Sequence, residues 1–111
     1  MSYVKPSKLK GNSDPTLSFF TSTLVFTTSV LTIDSLNQFG AYIKSFRIVN
    51  LDNGNAVTFR QGTTTDPSKT IPPNSENVSD GWESFVQITP NAVSGNGYIE
   101  LDLVAKSDAE K

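Results

Sequence analysis

The chain contains no cysteine and no histidine. Without cysteine there is no disulfide, no thiol nucleophile and no thiolate ligand for zinc or an iron–sulfur cluster. Without histidine the Ser-His-Asp triad, the imidazole metal ligands and the proton switch near neutral pH are all excluded. Charge is also scarce. Charged residues make up 18% of the chain, with nine basic against eleven acidic residues and a net charge of −2. Such a chain has no global basic field, so no nucleic-acid partner is expected. Apolar runs are only a few residues long, as at Ile48-Val49, and no membrane span is expected. The first sixteen residues hold no apolar signal-peptide core, and the lack of cysteine fits synthesis in a reducing cytosol. These absences together argue against an enzyme, a cofactor or a metal centre.

What is present is small and polar. The 111 residues include 14 Ser, 12 Thr and 9 Asn, and the length fits one domain with a single core. Residues 1–16 (MSYVKPSKLKGNSDPT) carry three lysines and two prolines and bury little, so they are expected to form an extended N-terminal arm. Residues 105–111 read as a tail of similar character. Between them, over 17–104, runs of Thr, Val, Ile and Phe alternate with Asn, Gly, Asp and Pro. This predicts strands near 19–27, 30–36, 41–50, 56–61, 69–71, 76–79, 82–89 and 97–104. No stretch shows a capped 3.6-residue period. Asp52-Asn53-Gly54-Asn55 and Ser94-Gly95-Asn96-Gly97 read as turns, and Pro72-Pro73 cannot continue a central ladder. The expected fold is all-β: one antiparallel sandwich of jelly-roll or other Greek-key type.

Two strands fail to show a single apolar face. In 41–50, Tyr42, Phe46 and Ile48 share one side, while Ile43 and Val49 lie opposite with Ser45 and Arg47. In 82–89, Trp82, Val86 and Ile88 share a side and Phe85 lies opposite. Either a bulge shifts the register or another element or subunit covers the second face. Each fully buried Phe or Ile is worth roughly 1.5–3 kcal/mol, so Tyr42, Ile43, Arg47, Trp82 and Phe85 are candidate partner contacts. On the arm the candidates are Tyr3, Val4, Lys5, Lys8, Leu9 and Lys10, a locally basic segment suited to an acidic surface or to strand addition.

Other chemistry has weaker support. Glu100 and Asp102 fall on one strand face about 6–7 Å apart from the rise per residue, a spacing open to a glycosidase pair, but a solvated outer face is the preferred explanation, since a domain this small rarely provides the deep cleft a glycosidase needs. Asp52, Asn53 and Asn55 invite calcium, yet the glycine falls too early and no glutamate closes the loop. Asn77-Val78-Ser79 is a formal glycosylation triplet. Trp82, Tyr42 and Tyr98 suit a sugar-stacking platform or, alternatively, a buried core.

The basic arm, the Ser/Thr/Asn-rich sandwich and the segments Arg47-Ile48-Val49-Asn50-Leu51-Asp52, Ile71-Pro72-Pro73-Asn74-Ser75 and Gly81-Trp82-Glu83-Ser84-Phe85 resemble the small β-sandwich structural proteins of viruses and tailed phages. Gly11-Asn12-Ser13-Asp14-Pro15 is similar to a stretch in the arm of lambda-type head decoration proteins. The resemblance implies a non-catalytic virion component made in the host cytoplasm. Such a component, often trimeric, reinforces the major capsid protein or other coat subunits as a decoration or cement subunit. A spike base, a tail protein and a carbohydrate-binding module are the alternatives.

Overall fold

The structure, a computed structural model, describes residues 19–106. β-Branched and aromatic residues suit a pleated, half-buried surface, and eight segments rich in them become strands. These are β1 (Phe19–Phe26), β2 (Leu31–Asp34), β3 (Ala41–Asn50), β4 (Val57–Gln61), β5 (Lys69–Ile71), β6 (Ser75–Glu83), β7 (Phe85–Thr89) and β8 (Gly97–Ala105). All pairings are antiparallel, and they nest: β1 with β8, β2 with β7, β3 with β6, β4 with β5. Cross-pairs β3–β8 and β4–β7 complete two four-stranded sheets, ordered β1-β8-β3-β6 and β2-β7-β4-β5. Nested pairing wrapped into two sheets is the jelly roll, the fold class expected from the sequence. The expected arm and all but the first two residues of the tail lie outside the described residues.

The core fills the space between the sheets. Phe26, Ile43, Phe46, Ile48, Ile99, Leu101 and Leu103 come from the first sheet; Ile33, Val57, Phe59, Ile71, Val86 and Ile88 come from the second. Phe46 meets Phe59 edge to face across the layers, centroids 5.9 Å apart. That geometry suits the ring quadrupoles.

Two local expectations are corrected, and one open choice is decided. Residues 35–36 are not strand. Asp34 accepts from the Asn37 N–H as an N-cap, and Gly40, at φ 64°, closes a five-residue helix, α1 (Ser35–Phe39). A helix this short has no room for a 3.6-residue period. Trp82 does not begin the strand containing Val86; it lies at the end of β6, and β7 starts at Phe85. The mixed faces of β3 resolve through a bulge. Ile43 pairs with Leu103, but Ser45 pairs with Asp102, so Lys44 is an extra residue. The parity of β3 therefore reverses at Lys44, turning Ile43, Phe46 and Ile48 all inward.

Candidate functional site

Three of the five strand-face candidates are packed inside the subunit. Ile43 is fully buried in the main core. Tyr42, Trp82 and Val104 form a second, smaller buried cluster, against which Leu36 of α1 packs. Val104 neighbours the inward Leu103 and so lies on the far side of its sheet, as does its partner Tyr42. α1 therefore covers the apolar end of that sheet's outer face. Trp82 reaches the cluster through a strained backbone. It adopts φ 64° after Gly81 at φ 141°, in the stretch where β6 carries residues 81–82 between its Asp80 and Glu83 pairings. Its exposure is 6%. Tyr98 is half-buried. No sugar-stacking platform is formed by these rings.

The other two candidates are accessible. Phe85 is half-buried and lines a cleft of about 580 Å³ with Asp34, Leu36, Asn37, Gly62, Thr63 and Ser84. Arg47 lies on the outer face of the β1-β8-β3-β6 sheet between Glu76 and Glu100, with 2.7 Å to the latter. The hydrogen bonds that its guanidinium donates to Glu76 and Glu100 hold its pKa above the usual value. Both arrangements are exposed, where ion pairs contribute little. The arm candidates Tyr3, Val4, Lys5, Lys8, Leu9 and Lys10 lie outside the described residues.

The carboxylates have structural employment. Glu100 holds Arg47, and Asp102 accepts from the Ser45 hydroxyl at 2.8 Å. They border an open groove of about 370 Å³ rather than a closed cleft. Asp52 Oδ1 accepts from the Gly54 and Asn55 N–H groups at 2.8 and 2.9 Å, and Oδ2 accepts from the Ser94 hydroxyl at 2.9 Å. These bonds, that of Gly54 foremost, hold its carboxyl below the usual range. They clamp the 52–55 turn to the 91–96 loop and account for the residues that invited calcium. Beneath lies fully buried Asn50, whose amide donates to the carbonyls of Asn55, Ile71 and Pro72. Burial pushes the Glu83 carboxyl up; the Gln61 amide, 3.1 Å away, pulls the other way. Among the described residues no group of three or more acidic side chains is placed to hold a metal ion.

What the surface does offer is apolar. Val25 is 70% exposed, Phe19 47% and Val78 67%, and Phe20, Val30, Leu51 and Val93 are exposed as well. Sequence reasoning passed over Phe19 and Val25. Their signal was available: in β1 the apolar residues do not keep to one side of the alternation.

No protein-family profile matches the chain, and no curated protein does. Among solved structures, a protein of Bacillus endospore appendages, described as a novel family of disulfide-linked pili, is similar in fold. The TM-score is 0.56 at 16% identity, over 86% of this chain and 94% of that one.

Proposed function

We propose that this chain is a non-catalytic structural subunit that works by packing against other protein subunits. In its specific form it is a decoration or cement subunit of a virion, seated on the major capsid protein or other coat subunits. The observation that carries the reading is the contrast between the two kinds of surface group. The carboxylates Asp52, Glu100 and Asp102 are tied into turns and strand pairs, while Phe19, Phe20, Val25 and Val78 lie uncovered on strands. Apolar groups left open on strands offer area that another subunit can cover. The similarity in fold to a pilus protein supports the coarser reading by analogy only. Lacking cysteine, this chain can join an assembly only through contacts other than disulfides, each weak and multiplied by symmetry.

In the decoration reading, the basic arm, with Tyr3, Val4, Lys5, Lys8, Leu9 and Lys10, is the anchor on the coat. The test is occupancy on purified shells, comparing the full chain with one lacking residues 2–16. Loss of occupancy is expected. Equal occupancy removes the arm as anchor, and a full chain that fails to bind any shell removes the decoration role.

A further inference from the structure

Among the described residues four strands form the edges of the two sheets, and three are guarded. β2 has four residues and runs straight into α1; β5 has three and runs into Pro72-Pro73. β6 is long but carries Glu76, Asp80 and Glu83 and is kinked at Gly81-Trp82. Short length, proline, charge and bulges are the devices that keep sheet edges from pairing with another chain. β1 has none of them. It pairs with β8 over eight residues without interruption, carries no charge, proline or glycine, and has no strand on its other side among the described residues.

The sequence of β1 is also nearly symmetric about its centre. Reading outward from Ser22, Thr21 is matched by Thr23, Phe20 by Leu24 and Phe19 by Val25. We infer that β1 is a self-complementary seam at which two copies of this chain pair antiparallel about a two-fold axis through Ser22, joining their sheets into one of eight strands. An isologous contact needs a patch that complements itself. In this register Phe19 of each copy lies beside Val25 of the other on the outer face, the two most exposed apolar side chains of the strand. Thr21 faces Thr23 on the same side, and Phe20 faces Leu24 on the core side. Shifting by two residues either way, the smallest slip that keeps the faces matched, separates Phe19 from Val25. Charge selects this edge over β6, where each of two pairing copies would bring Glu76, Asp80 and Glu83 to the same seam. The two outward carboxylates that flank the β1 centre are both engaged within the subunit, Glu100 by Arg47 and Asp102 by the Ser45 hydroxyl.

The seam uses a single strand from each copy, whereas a stable complex buries roughly 800 Å² per partner, so the dimer is expected to be concentration-dependent. The inference deepens the structural reading by naming a partner but stands without any coat protein. It gives two-fold pairs, where the resemblance to decoration proteins implied trimers.

The test uses the full chain. Because the protein has no native cysteine, Ser22→Cys reports the axis directly. Mild oxidation is expected to yield a covalent dimer, whereas Val78→Cys on β6 is not. Sedimentation velocity over a concentration series gives the second readout. Phe19→Glu and Val25→Lys should each weaken the dimer roughly tenfold, and the double variant should restore it. Within one copy these positions are roughly 20 Å apart along the strand, so rescue can arise only between copies. A concentration-independent monomer, a trimer in which the Ser22→Cys thiols stay unlinked, or two single defects that add without rescue would overturn the inference. Linkage through Ser22→Cys that appears only after deletion of residues 2–16 would also overturn it, by assigning the edge to the arm. Shell occupancy is unaffected by these results, so failure here leaves the decoration reading to its own test.

Discussion

Trp82 pays for its place in the backbone. A non-glycine residue at positive φ costs about 1–2 kcal/mol, and Trp82 sits at 64°. Burial against Tyr42 and Val104 offsets that cost. The usual strand ranking, in which glycine is worse than alanine, should therefore invert here. Trp82→Ala loses the ring and keeps the strain, an expected loss of about 3–5 kcal/mol. Trp82→Gly loses the same ring but relieves the backbone and should be more stable than Trp82→Ala by about 1 kcal/mol. Urea unfolding of the three proteins measures the order; alanine above glycine would show that the backbone there is unstrained.

Glu83 supplies a pH test with a definite sign. Its folded carboxyl is raised above 4.5, chiefly by burial, with Asp66 adding to the effect and Gln61 and Lys69 opposing it. A raised carboxyl means the folded state holds its proton more tightly than the unfolded chain. Stability from this group is then full below the unfolded value and is lost as pH rises through the folded one. Glu83→Gln keeps the oxygen that accepts from Gln61 and removes the charge. It should melt above the parent at pH 7, and the gap should close below about pH 4. Asp52 has the opposite sign: its lowered carboxyl stabilises at neutral pH and ceases to as the medium turns acid.

At the scale of elements, legibility followed regularity. β8 alternates strictly, Ile99, Leu101 and Leu103 inward and Glu100 and Asp102 outward, and its face is readable from the sequence. β3 is not, because a bulge leaves no residue-type signature in the sequence: Lys44 looks like any strand residue. The choice between bulge and covered face needs the partner strand, since only pairing with β8 shows the skipped position. α1 is hidden for a different reason. Five residues are fewer than two turns, and only Asp34 and Gly40 at its ends mark it. For the candidate site the sequence set only an expectation of contact residues, and three of those suggested by the alternation, Tyr42, Ile43 and Trp82, fill this subunit's own interior. The bulge itself can be tested. Deleting Lys44 makes Ile43 and Ser45 consecutive opposite Leu103 and Asp102, so Ile43, Phe46 and Ile48 all stay inward without a bulge. The deletion is expected to keep the cooperative thermal transition seen by circular dichroism. Deletion of Arg47, in the regular part of the ladder, puts either Phe46 or Ile48 on the outer face and should abolish it.

At the scale of the molecule, the nested pairing makes the last strand structurally central. β8 lies between β1 and β3, with Phe19 opposite Val104 and Gly97 opposite both Phe26 and Asn50. β1 is the first strand of the described residues, and among them its only sheet neighbour is β8. The first and last strands thus depend on each other across nearly the whole sequence. Even the packing at the start of β8 is set by a distant residue. A Cβ added at Gly97 would lie 2.2 Å from the Val49 carbonyl oxygen and 2.4 Å from the Phe26 ring. Two consequences can be measured together. Non-local pairing of this kind requires loop closure before contacts form, so refolding should take milliseconds to seconds, about the range of other β-sandwiches. A chain ending at Asn96 loses β8, leaving β1 unpaired and one flank of β3 bare, with Phe26 and Phe46 opened to water. It should show neither a cooperative denaturant transition nor protected amides on hydrogen exchange. A truncated chain that still unfolded cooperatively would mean that β2 to β7 form a self-sufficient core, and that the nesting of β1 with β8 is an addition to the fold rather than its closure.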